Sequence, residues 1–151
     1  MNLADHIAGC AGLHRTGAVG PLLTAALMIP FAWLTHWLGG FPLVAVGAAV
    51  GCLKVLWAAP RATVPVIGDR AVGQWIALAP LSGGLWFAGV APHVFPWPGW
   101  VGAFVMFNLI ILLPPVRRLN SRHPLLDDVT AALIASLIIL VSAAVSHGWL
   151  S

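Results

Sequence analysis

Four carboxylates and seven basic side chains are all the fixed charge in a chain of 151 residues, so each is a candidate for chemistry. The acids are Asp5, Asp69, Asp127 and Asp128. Asp127 and Asp128 are adjacent, in "HPLLDDVTAALIAS", at the head of an apolar run. Either could cap a helix and interact with its dipole. Two acids at one interface repel each other and ask for a cation. Hard oxygen donors suit Mg²⁺, which keeps several waters and takes one or two carboxylates plus a substrate phosphate. Asp69 heads another apolar run, in "VPVIGDRAVGQWIALAP" at 64–80, and Arg70 follows it. That pair reads either as a helix-start acid with a snorkelling base or as part of the same cation site. Arg117, Arg118 and Arg122 form a basic cluster. Such clusters set topology and attract anionic lipid headgroups, or they grip a phosphate ester. His123 stands four residues before Asp127, with Pro124 between them. Asn108 is a polar residue inside an apolar run, where it could hydrogen-bond another helix. Cys10 and Cys52 lack the spacing of a zinc site, and Cys52 reads as a packing residue.

The elements that must position these groups are membrane helices. The chain is 60% hydrophobic and 7% charged, with a mean hydropathy of +0.97. A soluble domain carries roughly a quarter charged residues, so composition implies an integral membrane protein. The pI near 9.7 does not point to nucleic acid, because the few basic residues lie beside apolar runs. The first sixteen residues lack a basic start followed by an apolar core, so no cleaved signal peptide is expected.

Five runs read as spans of a single transmembrane domain covering 1–151: about 17–38, 42–59, 71–91, 99–113 and 129–145. The dyad alternation of barrel strands is missing, so the expected class is all-α. "GGFP" at 39–42 reads as a tight turn. Lys and Arg alternate between connections. Arg15 lies in the first segment, Arg61 and Arg70 with Lys54 around the second connection, and Arg117, Arg118 and Arg122 in the fourth. The 39–42 and 92–98 connections and the C-terminal tail have none. The positive-inside rule then gives N-terminus in, five spans, C-terminus out, with all four acids on the cytoplasmic side. Trp33, Trp37, Trp97, Trp100 and Trp149 fall near the outer boundary and Trp57 and Trp75 near the inner one. They read as an interfacial belt, with an aromatic ligand cage as the other reading.

Several segments, in order along the chain, resemble one family. "GAVGPL" at 17–22, "GDRAVGQWIAL" at 68–78, "FNLIILLPPVRRLN" at 107–120 and "LLDDVTAALIAS" at 125–136 are similar to the motifs of phosphatidylglycerophosphatase A. The resemblance implies a small bacterial inner-membrane enzyme that uses Mg²⁺ at the cytoplasmic face to remove the phosphate of phosphatidylglycerophosphate. On the matching positions it implies that Asp69, Asp127 and Asp128 are the catalytic and metal-ligating acids. Arg70, Arg117, Arg118 and Arg122 are candidates for phosphate or lipid-headgroup contact.

The departures fall on charged positions. Arg70 stands where the family has Glu, Asn108 where it has Arg, and Ile111 where it has Asp. The family's Lys before its Pro-x-Pro is missing, "LLPP" is two residues shorter, and Ala18 and Pro21 replace hydroxyl residues. Exchanging Glu for Arg changes the local charge by two units where a metal should bind, at about 4 kcal/mol per unit pair at 4 Å and a dielectric of 20. Phosphoryl transfer depends on positioning and charge stabilisation, so weakened or lost catalysis is expected, with "GDR" converted from a metal-site motif into a salt bridge. A rival reading is a non-catalytic membrane subunit that packs against a larger complex or binds anionic phospholipid, since the many Gly and Ala permit close helix packing. A small transporter is disfavoured by the lack of acids at mid-membrane depth.

Overall fold

In a computed structural model of the chain, residues 2–64, 66–113 and 124–146 are described. All regular structure among them is helical. The α-helices are α1 (Leu3–Ala8), α2 (Gly20–Ala58), α3 (Gly68–Phe87), α4 (Trp97–Leu112) and α5 (Pro124–Ser146). Two short 3-10 segments, Cys10–Val19 and Ala59–Arg61, flank α2. Arg117, Arg118, Arg122, His123 and Trp149 lie outside the described residues.

The expected turn at 39–42 contracts to one residue. α2 is helical on both sides of Gly40, whose φ of 63° and ψ of −160° break the helix. A conformation of that kind is open essentially to glycine alone, and a Cβ at Gly40 would enter the Trp86 ring. Neighbours on α3 reveal the direction of each arm. In the first arm, Thr24 lies near the Asp69 end and His36 pairs with Ser82. In the second arm the order reverses: Val44 meets Trp75, Gly51 meets Val72, and Val55 meets Gly68. The first arm therefore runs with α3 and the second against it, so α2 is a helical hairpin folded at Gly40.

α4 runs against α3, since Gly99 faces Leu81 and Phe107 faces Gly73. α5 runs with α3, since Asp128 meets Arg70 and Ser136 reaches Ile76. The two arms, α3, α4 and α5 thus alternate up and down.

The interior combines small residues with a few large rings, and many large apolar side chains face outward. Ala77, Phe107, Ile110, Ile111, Ala131, Ala132 and Ala135 form one core cluster between α3, α4 and α5. Ala32, Leu78, Trp100 and Ala103 form a second, toward the other end. Large apolar side chains such as Leu27, Phe31, Leu53, Leu133 and Leu137 face outward. Small residues inside let the helix backbones approach closely. Two stretches, Arg15–Arg61 and Leu125–Ser142, are long and apolar enough to cross a membrane, and α4 is a shorter apolar helix.

Polar groups inside the bundle tie helices together. Pro80 lacks the N–H that would bond the carbonyl four residues earlier, and that carbonyl, Ile76 O, accepts from Ser136 Oγ at 3.4 Å instead. Trp75 Nε1 donates to Val44 O at 2.9 Å. His36 Nδ1 and Ser82 Oγ lie 2.8 Å apart with both residues buried. Trp100, read from sequence as part of an interfacial belt, is instead fully buried in the second cluster. Its ring packs 5.7 Å from Phe95 and 6.5 Å from His36. Depth along a helix is legible in a sequence; which face turns inward at a helix end is not, and here burial of a large ring prevails over anchoring.

Candidate functional site at the Asp69 end of the bundle

α3 begins at Gly68 with Asp69 in its first turn. Asp69 Oδ1 accepts from the Arg70 backbone N–H at 2.8 Å. Its carboxyl is almost wholly buried, and that burial pushes its pKa above the ordinary value. The Arg70 N–H and the Arg70 charge oppose this, while the Asp127 charge adds to it. Arg70 reaches across to α5, where its Nε lies 3.6 Å from Asp128 Oδ2. That distance is an ion pair and not a hydrogen bond. The guanidinium also sits over the Phe107 ring at 5.7 Å, a cation–π arrangement. Asp128 is buried, and Asp127 Oδ1 is buried without a hydrogen-bond partner among the described residues.

Gly73 makes this convergence possible. A Cβ there would stand 2.6 Å from Phe107 Cζ and 3.1 Å from Asp128 Cβ. One turn beyond Arg70, the fully buried Gln74 accepts at Oε1 from Asn108 Nδ2 at 3.4 Å. Asn108 also donates to Phe104 O of its own helix at 2.8 Å, so the interhelical bond expected of this residue forms. Ile111, at the position where the resembled family carries Asp, is an apolar core residue.

The α2 side of Asp69 is lined by the N-terminal segment. The Cys10 thiol lies against Thr24 and within reach of the Asp69 charge. Its pKa is raised, by burial first and by Asp69 to a smaller extent. Sequence reasoning gave Cys10 and Thr24 no part in the site, and no spacing signal could have found them. Gln74, four residues after Arg70, was legible as sharing its helix face.

Comparison with family models, with curated proteins and with solved structures finds no match.

Four sequence candidates, Asp69, Arg70, Asp127 and Asp128, meet at one end of the bundle. A fixed cation already stands among these carboxylates. Arg70 stands against Asp128, and Asp69 turns an oxygen to its own helix backbone. Among the described residues, no three His, Cys, Asp or Glu side chains converge to hold a metal ion. What the cluster can do without a metal is balance buried carboxylates with a guanidinium. That guanidinium remains about one-fifth exposed and keeps donors for an outside anion.

Proposed function

We propose that this chain is a five-span protein of a bacterial inner membrane, N-terminus in and C-terminus out, built on a plan resembling phosphatidylglycerophosphatase A. In this reading the lipid-phosphatase site is retired, and the protein binds anionic phospholipid at its cytoplasmic face without Mg²⁺-dependent hydrolysis. The observation that carries it is the Arg70–Asp128 ion pair. A fixed cation stands among three carboxylates, where the resembled enzymes need a divalent metal. The apolar core position of Ile111 and the amide of Asn108 support the same reading, because an isoleucine cannot ligate a metal and an uncharged amide cannot supply a phosphate-clamping charge. Arg70, Arg117, Arg118 and Arg122 are the groups proposed to meet the headgroup.

The alternating directions of the two α2 arms, α3, α4 and α5 support five crossings. The ends bearing Asp69, Asp127 and Asp128 then lie together, on the side that carries the Lys and Arg. Single cysteines placed at His93 and at Asn120 are expected to react with a membrane-impermeant maleimide from opposite sides. Labelling from the same side would reject this topology.

Activity is tested by phosphate release from phosphatidylglycerophosphate in mixed micelles with Mg²⁺. The expected result is turnover at or near background. Each lost transition-state contact in a site of this kind costs roughly a hundred- to a thousand-fold in rate, although such losses are not additive. Arg70→Glu alone should not restore turnover, because Asn108 and Ile111 still lack the needed groups. Robust Mg²⁺-dependent release that Asp127→Asn abolishes would overturn the reading. Vesicles with and without phosphatidylglycerol test the binding half, and equal retention on both would count against it.

A further inference from the structure

The polar cluster is covered at one side by residues 2–19, and that cover has an unusual build. α1 has six residues, too few to be stable alone. Its apolar contact is made by Ala4 and Ala8 against Ala58, with Ile7, Ala62 and Val66 packed around them. Methyl groups of alanine bury little area, so this contact by itself is weak.

The polar attachment is concentrated on one side chain. Asp5 Oδ1 accepts from Thr63 N at 2.6 Å, and both its oxygens lie 3.0 Å from Thr63 Oγ1. The same carboxylate accepts from Asn2 N at 3.3 Å, and Asn2 Oδ1 accepts from Asp5 N at 2.8 Å, closing a capping box. Hydrogen bonds to a charged acceptor are the stronger kind. Thr63 belongs to the connection that leads into α3. Four residues further on, Ile67 N donates to Ala8 O at 2.8 Å, and a Cβ on Gly68 would stand 2.8 Å from Ile7 O. α1 therefore lies directly over the start of α3, beside Asp69.

The segment after α1 turns repeatedly through left-handed backbone. Cys10 and Ala11 have φ of 44° and 54°, and Gly12 and Gly17 have φ of 102° and 64°. Non-glycine residues in this region are strained. The segment carries the half-buried Cys10 thiol to the α2 side of the cluster.

We propose that residues 2–19 are a strap that gates access from the membrane surface to the Asp69–Arg70–Asp128 cluster, with the Asp5–Thr63 contact as its latch. Docked, the strap leaves Asp69 buried. Released, it uncovers the α2 side of the cluster to water, ions or a lipid headgroup. Strap and latch rest on the geometry of the N-terminal segment and hold whether or not the cluster catalyses anything.

Cys10 is a built-in reporter of the strap. The full-length chain with Cys52→Ala, purified in mild detergent, has Cys10 as its single thiol, and its reaction with a water-soluble maleimide is followed in time. Asp5→Ala in this background is expected to speed labelling by about tenfold or more, since bonds to a charged acceptor hold the closed state. Thr63→Val, which keeps the backbone N–H and loses only the hydroxyl, is expected to give a smaller increase and carries the test if Asp5→Ala does not fold. Retained helical circular dichroism shows that the bundle is intact. Labelling of the parent protein as fast as in denaturing detergent would show that the strap does not close. Unchanged rates in the folded variants would show that Asp5 is not its latch. Either result overturns the proposal, and neither bears on whether phosphate is released.

Discussion

Arg70→Leu is expected to destabilise the folded protein by about 3 kcal/mol, because removing one partner of a buried ion pair strands the other charge. The guanidinium is partly exposed and its Nε is 3.6 Å from Asp128 Oδ2, which places the effect toward the low end of such losses. The substitution also strips charge compensation from Asp69, whose pKa is already raised by burial. The sign of the pH dependence follows. A carboxyl whose folded pKa lies above its unfolded value is tolerated in the fold while protonated. Its stabilising contribution is complete below the unfolded pKa and is lost as pH rises through the folded one. The deficit of Arg70→Leu should therefore shrink on acidification and be largest at neutral pH and above. The double variant Arg70→Leu with Asp128→Leu should recover much of the loss, since replacing both partners by apolar groups can be nearly neutral. Denaturation in mild detergent titrated with dodecyl sulfate, followed by circular dichroism, measures all three proteins. Equal stability of Arg70→Leu and the parent would mean that the pair carries no weight in the fold.

Gly40→Ala is expected to cost about 4 kcal/mol, combining roughly 1–3 kcal/mol of backbone strain with a similar overpacking penalty. Both terms have visible causes: a φ of 63° and the Trp86 ring against the missing Cβ. Gly84→Ala is the matched control. Gly84 lies in α3, and a Cβ added there would meet no atom within 4 Å. Helix propensity alone should then act, stabilising by about 0.5–1 kcal/mol. The same denaturation assay compares them. A Gly40→Ala protein as stable as the parent would show that the hairpin can reverse without a left-handed residue.

Much of the helical architecture was legible because a long apolar run is a composition signal. Runs of apolar residues interrupted at "GGFP" and "PHVFPWP" mark the helices. The grouping of Asp69, Arg70, Asp127 and Asp128 was legible for a related reason. Charges collect at helix ends, and helices that alternate in direction bring alternate ends together.

Other features depended on which side chains face one another. The sequence marks a turn at 39–42, but only the Trp86 ring against Gly40 reveals how tightly the hairpin closes. Trp100 has the composition of a belt residue and the burial of a core residue, because helix rotation decides between them. The strap is the clearest case. Asp5 and Thr63 are 58 residues apart, and nothing in their spacing couples them. Local pattern determined that this chain is a bundle of apolar helices with its charge gathered at their ends. Tertiary packing alone decided that Arg70 would balance Asp128 and that α1 would lie across the start of α3, because those outcomes depend on long-range contacts that no local periodicity encodes.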